Sequence, residues 1–248
     1  MKGMTVSSAD REINHGKKIA RQDPEKIWGW KTPAGRRRAQ RRAEMIADSA
    51  GLAPGVRALE IGCGSGLFTE IFAKSGAQLL AVDISGDLLE QARQRMLPEE
   101  QILFLEKRFE DCDVEGPFDA VIGSSVLHHL DLKPALAKIH QLLKTGGVMC
   151  FSEPNMLNPQ IMAQKNIPWL KERMGDSPDE TAFFRWSTHH LLEQSGFHRV
   201  RITPFDWLHP AVPAALVSIV ARAGEILERL PVIREFAGSL HIVGFKSS

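Results

Sequence analysis

An α/β fold, built on a mostly parallel sheet with helices on both faces, is predicted by three features of this 248-residue chain. Short apolar runs that suit buried strands alternate with segments of helical spacing. An acid followed by three alternate glycines, Glu60-Ile61-Gly62-Cys63-Gly64-Ser65-Gly66, joins the first such strand to a helix. A second acid, Asp83, closes the next strand 23 residues after the first, the length of one strand-helix-strand unit.

In chain order, residues 1–30 are polar and charged, with Trp28 and Trp30 about Gly29. A turn at 31–35 leads into a helix from Arg36, because Ala39, Ala43, Ile46 and Ala50 recur at helical spacing. Arg36, Arg37, Arg38, Arg41 and Arg42 occupy the rest of its surface, as a solvated face or as a site for a phosphate or carboxylate, and Gly51 ends it. Strands are predicted over 56–61, 78–82, 102–105, 118–123, 148–152, 198–203 and 240–245. Helices fall over 67–74, 85–96, 188–194 and from Asp131 to a stop at Gly146-Gly147. Residues 156–186 are broken by Pro159, Pro168 and Pro178 and carry Trp169, Phe183, Phe184 and Trp186, the composition of a lid or pocket wall. Residues 204–238 intrude before the last strand as a largely apolar helical insert, with Pro213 in a first helical turn. It packs on the sheet or a second subunit, or meets a membrane surface. We divide the chain into an arm and basic helix (1–50), a binding core (51–155), and a lid, last strands and insert (156–248).

The glycine spacing separates two chemistries. A dinucleotide turn needs a third glycine where Leu67 stands, and a phosphate loop needs a Gly-Lys-Ser/Thr ending that is absent. Glu60 beside the turn favours a cationic or amine-bearing ligand over a pyrophosphate, while Gly62, Cys63, Gly64 and Gly66 allow close backbone approach. Asp83 can accept hydrogen bonds from both hydroxyls of a ribose, and Ile84 is placed to pack on a flat base.

This acid-plus-glycines pattern resembles the first motif of the class I S-adenosylmethionine-dependent methyltransferases. Ser124-Ser125-Val126-Leu127-His128-His129-Leu130 resembles the post-strand motif of the small-molecule and lipid methyltransferases of that class, as do Leu143-Lys144-Thr145-Gly146-Gly147 and Glu153-Pro154-Asn155. The resemblance covers about residues 45–155. It implies a Rossmann-like seven-stranded sheet and S-adenosyl-L-methionine as cofactor, with Glu60 on the methionine amine and Ser124 near the methyl group. Phe109 and Glu110, or Asp111, lie where the family reads adenine; Arg108 stands where an acid is common. Arms of this type fold over the cofactor, which would bring in Trp30, or Trp28 and Trp30 simply pack.

His128, His129 and Glu153 are the candidates for a general base, at the ends of two neighbouring strands, although members of the class also work without one. The amino-methylating Asn/Asp-Pro-Pro-Tyr/Phe segment is absent, which directs the reaction to a hydroxyl or carbon. The acceptor expected is small, hydrophobic or amphipathic. Two other readings compete: an RNA or other macromolecular methyltransferase using the arginine helix, and a noncatalytic scaffold. Net charge is +1, with +6 in residues 1–50 and −5 in the remainder, and nucleic acid is not the favoured partner. Cys63, Cys112 and Cys150 lack paired metal spacing and suit a reducing cytoplasm. Residues 1–10 lack an apolar leader core and no run reaches the length of a membrane span. A monomer or homodimer is expected, with no metal.

Overall fold

The computed structural model describes residues 8–173 and 181–247. An N-terminal arm of α1 (Ser8–Ala20) and α2 (Pro24–Ile27) precedes α3 (Pro33–Ala50). Thr32 caps α3, accepting from the Gly35 amide at 2.9 Å, with Pro33 in its first turn, and Gly51 ends it at φ +64°. The core then runs β1 (Arg57–Ile61), α4 (Leu67–Ala73), β2 (Gln78–Asp83), α5 (Gly86–Arg93), β3 (Ile102–Glu106), β4 (Phe118–Ser124), α6 (Leu132–Leu142) and β5 (Leu143–Pro154). After it come α7 (Pro159–Asn166), α8 (Pro168–Arg173), α9 (Arg185–Gln194), β6 (Phe197–Phe205), α10 (Val217–Leu227) and β7 (Ser239–Lys246). Pro178, placed by sequence in the lid segment, lies outside the described residues.

The seven strands form one sheet in the order β3-β2-β1-β4-β5-β7-β6. The first five are parallel to their neighbours, and β7 runs antiparallel between β5 and β6. Alternation along the strands divides the core in two. Leu59, Ile61, Val82, Val121, Met149 and Ile242 face Leu136 and Ile139 of α6 and Leu192 of α9. Ala58, Leu79, Ala120, Ile122, Cys150 and Val243 face Ala43 and Ile46 of α3 and Phe72 of α4. Both faces are covered, so the central strands are almost continuously apolar. The Rossmann-like seven-stranded sheet expected from the sequence is therefore the fold of the chain.

Several boundaries differ from expectation: α3 opens at Pro33, inside the expected 31–35 turn, and α5 stops at Arg93 rather than 96. The glycines at 146 and 147 do not end α6: the helix stops at Leu142, and Leu143 already pairs with Phe118 of β4. The register jumps between that pair and Ala120↔Val148, so Gly146, at φ +75°, sits inside an irregular entry to β5. Pro213 does not open the insert's helix either. Its ψ of 144° is extended, and it precedes a short 3-10 turn before α10 begins at Val217.

Candidate active site

A cavity of about 520 Å³ lies over the carboxyl ends of β1, β2 and β4, where open α/β sheets bind ligands. Its floor is the turn between β1 and α4. Gly62 (φ +69°) and Gly64 (φ +52°) take backbone conformations that L side chains rarely adopt. A methyl group on Gly62 would stand 2.4 Å from Val126 Cγ2, and one on Gly64 would meet the Trp28 ring at 3.5 Å. The floor is thus a backbone cradle roofed by an aromatic from the arm.

Asp83, at the tip of β2, ties this cradle together. Its Oδ2 accepts from the Gly64 amide at 2.7 Å and its Oδ1 from the Ser85 amide at 2.9 Å. Ser85, whose Oγ accepts from Leu88, caps α5 in its place and leaves Asp83 to face the cavity. Burial raises the Asp83 carboxyl above its usual range, and the two amides and nearby His129 oppose that shift. Each oxygen keeps a second lone pair for a ligand hydroxyl. Cys63, Ile84, Phe109, Glu110, Ser124 and Trp30 also line the cavity, as do His128 and His129. Glu110 is the cavity-lining acid of the 109–111 turn, and its Oε2 lies 3.2 Å from Arg108 Nε.

Three of the expected site residues do not line the cavity. Glu60 is 2% exposed and accepts from the Thr69 hydroxyl at 2.7 Å. Strand alternation explains this: Ile61 faces the cavity, so Glu60 points to the other side, beneath α4. Burial pushes its carboxyl up to about 8, with the Thr69 hydroxyl opposing and Asp83 adding to the shift. Glu60, expected from the resemblance to meet the methionine amine, therefore lies outside the cavity lining and is engaged by Thr69. Gly66 (φ +77°) faces α5, where an added methyl would lie 2.9 Å from Ala92 Cβ; its role is packing. Glu153 is fully buried. Its Oε1 accepts from the Val126 and Leu127 amides, both at 2.9 Å, and its Oε2 accepts from His128 Nδ1 at 2.7 Å. Glu153 is therefore a positioning residue for His128. With Nδ1–H donating to the carboxylate, the network assigns the unprotonated nitrogen to Nε2. The His129 ring packs on His128 at 4.2 Å between centroids.

The basic helix is only partly a solvated face. Arg42 of α3 is 3% exposed and lines the cavity with Arg38. Arg38 Nε meets Asp206 Oδ2 at 2.8 Å. Arg42 donates through Nη2 to Ser239 Oγ at 2.5 Å and through Nη1 to Ser125 Oγ at 3.0 Å, with Asp206 at 3.7 Å. Both guanidiniums lie over Trp30, at 5.2 and 5.3 Å. Burial lowers Arg42 to about 10, with Asp206 opposing, so it remains charged at neutrality. Its Nε is buried and has no hydrogen-bond partner among the described residues. The sequence carried one signal of this: Arg42 sits three residues after Ala39 and four before Ile46, inside the apolar stripe. Asp206, at φ +78° after β6, carried none. Gln160 and Ile161 of α7 and Leu208 and His209 of the insert complete the far wall. Gln160 Nε2 and His209 Nε2 lie 3.0 Å apart and bridge these two segments.

The cradle, the tip acid and the cations fit a nucleoside bearing an amino-acid tail, and comparison with known proteins agrees. Residues 59–149 match the family model described as a methyltransferase domain. The chain is 37% identical over 106 residues to the ubiquinone biosynthesis O-methyltransferase of Xanthomonas campestris pv. campestris, spanning 41% of this chain and 44% of that one. It is 35% identical over 173 residues to the Nitrobacter winogradskyi protein of the same name, 64% of this chain and 66% of that one. The chain thus spans less than half the length of the Xanthomonas relative it matches. Among solved structures, the N-methyltransferase NodS from Bradyrhizobium japonicum WM9, in complex with S-adenosyl-l-homocysteine, superposes with a TM-score of 0.64 at 15% identity, over 96% of this chain and all of that one. At that identity the likeness speaks for the fold. Motif, sheet order and family model converge on a class I S-adenosylmethionine-dependent methyltransferase, with residues 59–149 as the matched domain.

Proposed function

We propose that this protein transfers a methyl group from S-adenosyl-L-methionine to a hydroxyl of a small, hydrophobic or amphipathic acceptor. The observation that carries this reading is the His128–Glu153 pair, which aims an oriented imidazole at the same cavity that holds Asp83 and the glycine cradle. When bound, S-adenosylmethionine supplies a methyl carbon already activated by positive sulfur. Asp83 would accept the ribose hydroxyls, Ile84, Phe109 and Glu110 would border the base, and Arg38 and Arg42 are the cations available to the donor's carboxylate. His128 Nε2 would take the proton of an acceptor hydroxyl placed in this cavity, and Glu153 would stabilise the imidazolium. Exclusion of water and in-line positioning contribute the rest.

The hydroxyl is favoured over carbon because the curated relatives are named O-methyltransferases. A macromolecular acceptor is disfavoured by the arginine helix itself, since Arg38, Arg41 and Arg42 are engaged by Asp206, Glu228 and Ser239. Three free, buried cysteines support a reducing cytoplasmic setting. The residue ranges 1–50, 51–155 and 156–248 serve as arm, donor-binding core and acceptor side. The test is incubation with methyl-labelled S-adenosylmethionine and cell extract. Label is expected in a low-molecular-weight, organic-extractable fraction, whereas label in RNA or protein would overturn the acceptor class. In parallel, Asp83→Ala is expected to abolish donor binding in calorimetry, and an unchanged affinity would reject the site.

A further inference from the structure

The outer face of the insert has no use in the reaction. On α10, Ile219, Ala223 and Ile226 are exposed at four- and three-residue steps, and Leu230 continues the stripe beyond its end. Ile219 is 66% and Ile226 60% exposed, and Val232, just beyond, is 74% exposed. An amphipathic helix of a globular protein turns such a stripe inward. Here the inward face is a second apolar set: Val217, Val220 and Ala221 pack on Ala34 and Leu208. The helix is therefore apolar on two sides, and one of them meets solvent.

Charge decides what fits there. The acids of α10 and its end are turned toward α3: Glu228 makes a bidentate pair with Arg41, and Glu225 lies 4.0 Å from Arg37. Arg222 and Arg229 flank the exposed stripe and form no ion pair with the described residues. A second copy docked across a two-fold axis would set this face against itself, basic flank toward basic flank, with Glu225 and Glu228 drawn to Arg37 and Arg41 of α3. An anionic bilayer accepts both features at once, taking the isoleucines at the acyl boundary and the guanidiniums among the headgroups. No helix among the described residues is long and apolar enough to cross a membrane, so the contact is interfacial.

We propose that the Ile219-Ile226-Val232 face, with Arg222 and Arg229, is a docking surface for an anionic phospholipid bilayer. The face adjoins the far wall of the cavity. Leu208, beneath α10, lines it, and the Phe236 carbonyl beyond the stripe accepts from cavity-lining Asn158 at 2.8 Å. Docking would hold the acceptor side of the cavity at the surface where apolar molecules partition.

The test is co-sedimentation of the full chain with phosphatidylcholine vesicles, with and without phosphatidylglycerol, at low and high salt. It reads binding without turnover, so it stands apart from the proposed reaction. Partition to the anionic vesicles, weakened by salt, is expected. Arg222→Ala with Arg229→Ala should weaken it about 30-fold, at roughly fivefold per basic residue near a charged surface. Ile219→Asp with Ile226→Asp should abolish it; both positions are exposed, and circular dichroism and donor binding confirm the fold. Absence of binding to anionic vesicles at low salt overturns the proposal. So does binding that survives the isoleucine substitutions, or a dimer in sedimentation equilibrium that those substitutions dissociate in a chain that ignores vesicles.

Discussion

Glu60 holds a proton at neutral pH because it is sealed between β1 and α4, its carboxyl raised to about 8. Between the unfolded value of about 4.3 and that folded value, the native chain keeps a proton that the unfolded chain has released. Stability therefore falls as pH rises across that window. Glu60→Gln keeps a hydrogen-bond acceptor for Thr69 and removes the titration. Urea unfolding at pH 5 and pH 8 should show the parent losing a few kcal/mol between the two, and the variant losing much less; equal losses would place the titration elsewhere. His128 is the complementary case, a titratable ring that faces the cavity. His128→Gln is expected to lower kcat by about 10² to 10⁴ while the donor's Kd is unchanged. Glu153→Gln, which leaves the ring in place but disturbs its orientation, should shift the pH profile of kcat as well as lower it. An unaltered kcat in His128→Gln would mean that positioning alone drives the reaction.

At the scale of elements, α3 is the joint between the sheet and the insert. Its inner stripe of Ala39, Ala43, Ile46 and Ala50 is buried as its spacing foretells. The arginine positions were less legible, because a charged residue at helical spacing reads the same whether its partner is water or an acid 168 residues away. Arg38 and Arg41 find theirs in Asp206 and Glu228, which only the return of the chain through β6 and α10 brings near. Glu228 also accepts from the Asp206 amide at 2.9 Å. Glu228→Ala should therefore cost more stability than Arg41→Ala, since it strands a backbone donor as well as a cation. A double-mutant cycle on the two is expected to return a coupling of about 1 kcal/mol; zero coupling would reduce the pair to a surface contact.

On the whole molecule, the first five strands and the carboxyl-edge location of the site were readable because each depends on local pattern. Apolar runs give parallel strands, and positive-φ glycines give the cradle. Asp83, Ile84 and the 109–110 turn, expected together at those strands' ends, all line one cavity. Two kinds of information stayed hidden. Which face of a strand meets the cavity depends on how the sheet is covered, and a one-residue difference puts Ile61 at the cavity and Glu60 beneath a helix. The far wall is built from segments remote in sequence, α7 and the 206–210 loop, which carry no motif.

The arm has a further consequence. Arg95 of the sheet domain grips the Ser65 carbonyl at 2.6 Å and also pairs with Glu70 and with Glu25 of α2, while the Gln91 amide holds the Ala20 carbonyl at 2.9 Å. The arm from α1 to Trp30 is thereby fastened across the glycine turn, with Trp28 as the piece nearest Gly64. Through Gly16, Ile19, Ile27, Trp28 and Trp30 the arm is part of the cavity wall, although it contributes no strand to the sheet. A fusion partner attached to the arm bears on a wall of the cavity, while one attached after β7 leaves from the opposite end of the sheet, where Phe245 pairs with Val148.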